Sequence, residues 1–308
     1  MASTEWTTWR PLRLAEDVPC ATLAEQMDGG QSFRWSPAAD GGWIGVFGGT
    51  LAAVRSGPQG LEWRGPKGVA HTEAALRLYL DAEGAQARLS EALPWRSDPV
   101  LRAAREAYPG LRILRQDPHE ALVGFLCSSN KRILQIRVMV AALAEKLGEP
   151  LGGGYHALPS WQAIAMADDA VLRGCSLGYR AAFLRGTAKR LLARPRWADE
   201  FAALPTPALL AELRSLPGVG PKVAACVALF GFGRLESFPV DTWVVQALAE
   251  AYGLRGWKPA QLEQFGQAHF GEAAGLAQQH LFSAARAGRL LRAEVTPTAK
   301  PPRPRSKR

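Results

Sequence analysis

Residues 205–252 read PTPALLAELRSLPGVGPKVAACVALFGFGRLESFPVDTWVVQALAEAY, and this stretch decides the fold. Leu209, Leu210, Leu213 and Leu216 recur at helical spacing. Thr206 is the expected cap of this first helix, and Pro207 suits its first turn, where a missing N–H costs nothing. Pro217-Gly218-Val219-Gly220 then stops the helix, because both glycines accept φ > 0 and admit a close backbone partner. Pro221 opens a second apolar helix over Lys222–Gly231. Phe238-Pro239-Val240 is extended, and Asp241 stands where a third helix begins.

Backbone N–H groups at a glycine turn before a helix N-terminus make an anion site. A DNA phosphate is a natural occupant, and such a contact is blind to base sequence. An ordinary αα-hairpin has the same outline, so two further residues matter. Lys222 sits just inside the second helix, where the dipole opposes a cation. That placement favours a neutral, nucleophilic amine, whereas the plain alternative is a solvated surface lysine. Asp241 follows nineteen residues later. There it caps the third helix, and the helix start is expected to keep its carboxylate ionised.

Composition narrows the class. A chain of 308 residues with 47% hydrophobic residues and ten tryptophans can bury a proper core and holds two or three domains. No stretch approaches the ~20 apolar residues of a membrane span, and the N-terminus lacks the apolar segment of a secretory signal. Cys20, Cys127, Cys175 and Cys226 are scattered, which argues against closely spaced zinc or iron–sulfur ligands and fits free thiols in a reducing cytoplasm. The net charge is +9, of which residues 291–308 contribute +5. A basic surface suits a polyanion. No GxGxxG, Walker loop or metal-ligand cluster supports a small-molecule α/β enzyme.

The texture changes along the chain. Residues 1–100 carry short strand-like runs, GGWIGVFGG, TLAAVRSG and GLEWRG, between Gly, Pro and Asp, so a small antiparallel α+β domain is expected there. The helix signal HTEAALRLYLDAEG (71–84) packs on it. Residues 101–290 turn helical. Asp117-Pro118 starts one helix as cap and first residue, and Ala121, Leu122, Phe125 and Leu126 form its core stripe. Cys127-Ser128-Ser129-Asn130 interrupts it, and Ile133, Ile136, Val140 and Leu143 resume the period. Ser160 caps a later helix. Gly178-Tyr179-Arg180 joins two helical pieces. Residues 291–308 are Pro-rich and basic, a disordered arm suited to phosphate.

Taken together, GQSFRW (30–35), CSSN (127–130), LGYR (177–180), LPGVGPK with an aspartate after eighteen residues, and GLAQ-x₃-F (275–282) resemble the 8-oxoguanine DNA glycosylases of the helix-hairpin-helix superfamily. The resemblance covers roughly residues 20–290 in separated blocks. It implies an α+β chain: a small antiparallel-sheet domain, then a mainly helical glycosylase core of two lobes with the hairpin at about 206–231. It implies base excision repair, with excision of 8-oxoguanine from double-stranded DNA and Schiff-base lyase activity. Lys222 is then the nucleophile and Asp241 its electrostatic and proton-transfer partner.

The resemblance also implies how the base is read. Gly30 offers its carbonyl to the damaged base. Guanine N7 is a bare acceptor, while 8-oxoguanine carries a hydrogen there, so this carbonyl attracts the lesion and repels the normal base. Gln278 reads the Watson–Crick edge, while Phe282 and Cys226 sandwich the ring. Asn130, Tyr179 and Arg180 meet the gap and the orphaned base, Tyr179 as a wedge. Gly218 and Gly220 hold phosphate. No cofactor is implied beyond a backbone-bound monovalent or divalent cation at the hairpin. The chain is expected to act as a monomer on DNA, away from membranes, in the bacterial cytoplasm or a nucleus.

Two positions depart from the family pattern. Gln135 replaces an arginine that reads cytosine, which puts the cytosine preference in doubt: Gln135 can bond several bases, and Lys131 or Arg132 can take the arginine's place or contact phosphate. Trp243 replaces a phosphate-binding histidine. These departures also leave room for a same-fold enzyme preferring alkylated bases. A non-catalytic helix-hairpin-helix module would need neither Lys222 nor Asp241.

Overall fold

Glycine-punctuated apolar runs in the first hundred residues build a sheet. The structure, a computed structural model, describes residues 4–58 and 60–290. Strands β1 (Arg10–Pro11), β2 (Trp35–Pro37), β3 (Trp43–Phe47), β4 (Thr50–Gly57) and β5 (Gly60–Arg64) form one antiparallel sheet in the order β1-β5-β4-β3-β2. Gly48 and Gly49, at φ +51° and +71°, make the two-residue turn between β3 and β4, the turn whose twist matches paired strands. Helices α1 (Cys20–Asp28) and α2 (Thr72–Tyr79) cover the sheet with Leu23, Met27, Leu76 and Tyr79. Trp35 is fully buried there, and its indole N–H donates to the Tyr79 hydroxyl at 3.1 Å.

The helical part follows as α3 (Ala85–Ala92), α4 (Pro99–Ala107), α5 (Pro118–Ser128) and α6 (Ile133–Leu147). After a small hairpin, β6 (Pro150–Gly152) with β7 (Tyr155–His156), come α7 (Trp161–Met166), α8 (Asp169–Arg173), α9 (Arg180–Leu192) and α10 (Trp197–Ala202). The described residues close with α11 (Thr206–Ser215), α12 (Pro221–Phe232), α13 (Thr242–Ala251), α14 (Pro259–Phe270) and α15 (Ala274–Arg286). Several starts are capped as their sequences predict. Asp117 accepts from the His119 amide at 2.8 Å, Ser160 from Ala163 at 3.2 Å and Asp241 from Val244 at 2.9 Å. Thr206 is a correction. Helix α11 begins at Thr206 with Pro205 in the cap position, and the Thr206 hydroxyl donates to the Glu236 carboxylate instead.

Helices α5 and α12 form the centre of the larger core. Eight of the twelve residues of α12 are buried, as suits a helix that is apolar on most sides. Phe125 of α5 stacks on Phe230 of α12 with centroids 5.3 Å apart. The two cores exchange residues. Leu114 belongs to the sheet's core, while Phe33 reaches into the helical one. The segment 29–35 therefore crosses from one lobe to the other. No helix among the described residues is long and apolar enough to cross a membrane. The basic arm expected at 291–308 lies outside the described residues.

Candidate active site

The hairpin turn uses its two glycines differently: only Gly218 takes a positive φ, whereas Gly220 is extended at φ −85°. Gly218 has φ +79°, and a Cβ there would lie 2.5 Å from Cγ of Phe183. The Pro217 carbonyl accepts from the Thr187 hydroxyl at 3.0 Å, tying the turn to α9. Among the described residues no backbone carbonyl takes the amide of Gly218 or Gly220. Both N–H groups remain available at the positive end of α12, the arrangement that binds phosphate.

Lys222 is the second residue of α12. Its ammonium nitrogen lies 3.4 Å from the Ser128 hydroxyl and 5.2 Å from the centre of the Phe125 ring. Ser128 in turn donates to the Phe125 carbonyl at 2.7 Å. Both partners belong to α5, so the α5–α12 packing aims the lysine. The sequence placed Phe125 in a core stripe and Ser128 in a helix break, and gave neither a part in the site. Their i, i+3 spacing, which puts a hydroxyl and a ring on one face of α5, is the available signal.

Asp241 caps α13 and faces the same recess. Burial pushes its carboxyl above the ordinary aspartate range, against the opposing pull of the Val244 amide and of Lys222. The helix start alone would pull the carboxyl down, but here desolvation outweighs the cap and the net shift is upward. A carboxylate with a raised pKa is a better proton acceptor. Burial likewise raises the Cys226 thiol, so it stays protonated and apolar in character.

Gly30, Lys222, Cys226, Asp241, Gln278 and Phe282 line one recess. They come from the lobe-crossing segment, α12, the start of α13 and α15. The recess holds about 40 Å³, room for a few waters, so it must widen to admit a purine. Gly30 has φ +96°, and a Cβ there would approach Cδ1 of Ile133 to 2.9 Å. Gln278 is buried, and its side-chain carbonyl oxygen has no protein partner among the described residues. An orphaned buried acceptor is costly, and this one belongs to a side chain lining the recess. The recess adjoins a groove of about 680 Å³ that adds Lys131, Arg132 and Trp243.

The remaining predicted residues lie outside the recess. Asn130 is exposed at φ +54°. Gln135 is exposed and accepts from the Arg132 amide at 3.1 Å, closing the first turn of α6. Tyr179 is 53% exposed at the start of α9. Arg180, expected at the orphaned base, is buried. Its guanidinium donates to the carbonyls of Ser129 and Leu177 and lies 4.4 Å from the Tyr179 ring centre. In this structure it braces the Ser-Ser-Asn turn beneath the exposed tyrosine.

The glycine hairpin that opens α12 and the recess that gathers Lys222 and Asp241 match the layout that the resemblance to helix-hairpin-helix DNA glycosylases implies. A family model described as the N-terminal domain of 8-oxoguanine DNA glycosylase matches residues 14–122. N-glycosylase/DNA lyase OGG1 of Arabidopsis thaliana is 34% identical over 302 residues, spanning 90% of this chain and 80% of that protein. The 8-oxoguanine glycosylase/lyase of Clostridium acetobutylicum, solved with DNA containing cytosine opposite 8-oxoguanine, superposes with TM-score 0.80 at 30% identity over 86% of this chain and 92% of that one. MBOgg1, solved with a low-affinity DNA ligand, superposes with TM-score 0.82 at 28% identity over 93% of this chain and 99% of that one. The chain belongs to the 8-oxoguanine DNA glycosylase/lyase family.

Proposed function

We propose that this chain excises 8-oxoguanine from double-stranded DNA and cleaves the resulting site by β-elimination, with Lys222 as nucleophile. The observation that carries this reading is the recess that unites Lys222, Asp241, Gly30 and the unpartnered oxygen of Gln278. The glycosidic bond cannot be reached within the stack, so the nucleotide is extruded. The Gly30 carbonyl accepts from the N7 hydrogen of the lesion, and the Gln278 oxygen accepts from the donor edge of the base. Exposed Tyr179 fills the space left in the duplex.

Asp241 receives a proton from the lysine side, and the neutral amine adds to C1′. The C1′–N9 bond breaks and its electron pair leaves with the base. Opening of the sugar gives an imine between Lys222 and C1′. The imine acidifies C2′; the C2′ proton passes to the base that left as an anion, and the C3′–O electron pair departs with the 3′ phosphate. Gln135 supports a loose choice of base opposite the lesion, since its oxygen caps α6 and an amide bonds several base edges.

Borohydride reduces an imine to a stable amine, so it should trap this chain covalently on duplexes containing 8-oxoguanine. Lys222→Gln should abolish the trapped band. Undiminished trapping in that variant would exclude Lys222 as the nucleophile.

A further inference from the structure

The lobe-crossing segment that carries Gly30 is held by two buried glutamines outside the recess. Gln31 is fully buried. Its side-chain amide donates to the Arg112 carbonyl at 3.0 Å, and its side-chain oxygen accepts from the Leu114 amide at 3.0 Å. Gln31 thus pairs with the chain as a strand would. Its own carbonyl accepts from the side chain of Gln116 at 2.6 Å. Gln116 is buried as well, and its backbone N–H donates to the Phe230 carbonyl at 3.0 Å. Phe230 lies in the last turn of α12, where carbonyls lack an intrahelical donor. It also lines the recess.

These bonds form a continuous link from the helix of Lys222 to the residue after Gly30. The peptide that presents the Gly30 carbonyl is the one shared with Gln31. Gly30 itself cannot hold that plane, since glycine at φ +96° is the least restrained residue in the segment. Fixing Gln31 on both its side chain and its carbonyl limits how far the plane can rotate. Without the Gln116 donor, a buried carbonyl loses its partner and one anchor of the plane goes with it.

We infer that Gln116, acting through Gln31, is a positioning residue for lesion recognition: it sets the Gly30 carbonyl at a fixed height above the catalytic helix. This rests on the reading of Gly30 and Lys222 given under Proposed function. Gln116 does not line the recess. Its loss therefore weakens selection of the damaged base while leaving the lysine chemistry in place.

The test compares two duplexes under single-turnover conditions with the full chain. One contains 8-oxoguanine; the other contains a preformed abasic site, whose cleavage needs Lys222 but no base reading. Gln116→Met keeps length and removes the donor, and Gln116→Glu keeps shape and replaces the donor with an acceptor. For both variants, excision of 8-oxoguanine should fall roughly tenfold to a hundredfold, the consequence of one buried partner lost. Cleavage of the abasic duplex should stay at the wild-type rate. The ratio of the two rates is taken within one sample, so a misfolded fraction cancels. Equal loss on both duplexes, or no loss on either, overturns the inference. A wild-type chain that cleaves neither duplex overturns the underlying function instead, which is a separate result.

Discussion

Asp241 carries two demands that pull in opposite directions. As a cap it accepts from Val244, and as a partner of Lys222 it must be ionised when the amine gives up its proton. Burial holds its pKa above the unfolded value, so the folded state binds its proton more readily than the unfolded chain does. The ionised carboxylate therefore costs stability, and the cost grows as pH rises through the range between the two values. Asp241→Asn preserves the cap, because asparagine is an equally good one, and removes the buried charge. The variant should melt above wild type at pH 8, with the gap closing as pH falls towards the ordinary aspartate range near ~4. Its excision rate should drop by about 10²–10⁴-fold, the usual worth of a positioned proton acceptor. Equal melting at every pH would mean that the charge is not strained by burial. Single residues of this kind were only half legible in sequence. The identities of Gly30, Lys222, Cys226, Gln278 and Phe282 were readable through the family resemblance, and they converge on one recess. The raised carboxyl of Asp241 and the buried guanidinium of Arg180 were not, because burial is set by chain from elsewhere.

At the level of the element, the hairpin turn separates two glycines that look alike in LPGVG. Gly218 is in the left-handed region and backs onto Phe183, whose ring blocks a Cβ. Gly220 has ordinary extended backbone, φ −85° and ψ −179°, and a Cβ there meets nothing within 4 Å. Gly218→Ala should therefore destabilise the fold, by about 1 kcal/mol for the backbone and about 1–3 kcal/mol for displacing the ring. Gly220→Ala should leave melting within about 0.5 kcal/mol of wild type, yet weaken binding to an abasic-analogue duplex, since a methyl then crowds the amides that face phosphate. Thermal melting and fluorescence anisotropy measured on both variants decide this. If Gly220→Ala binds as tightly as wild type, phosphate does not dock at that amide. Local pattern located this turn, the proline that opens α12 and the caps at Asp117, Ser160 and Asp241. It misassigned Thr206, whose hydroxyl finds Glu236 thirty residues away. It also gave no sign of β1, a two-residue edge strand ending in a proline that has no N–H to donate.

Across the whole molecule, charge is divided unevenly between the folded body and the arm. Residues 291–308 hold six Lys/Arg and one Glu, so +5 of the net +9 lies there and +4 remains in the body. Residues 1–290 offer geometry: hairpin amides that no backbone carbonyl takes, Lys131 and Arg132 on the groove, and the recess of Gly30, Lys222 and Gln278. If the cations of residues 291–308 meet phosphate, they act on any duplex alike. Each phosphate that a cation neutralises steepens the salt dependence of binding by about 0.9 in log–log slope. A chain ending at residue 290 should then bind more weakly at low salt, with a slope shallower by about 2–4. The loss should be the same factor for 8-oxoguanine duplexes and for undamaged ones, because phosphate contacts position without specifying. Anisotropy titrations over a range of salt, with both duplexes and both chain lengths, measure the two quantities together. Unchanged slopes would remove the arm from DNA binding. A loss confined to the lesion duplex would instead place those cations at the extruded nucleotide, beside the proposed base-reading groups of Gly30 and Gln278.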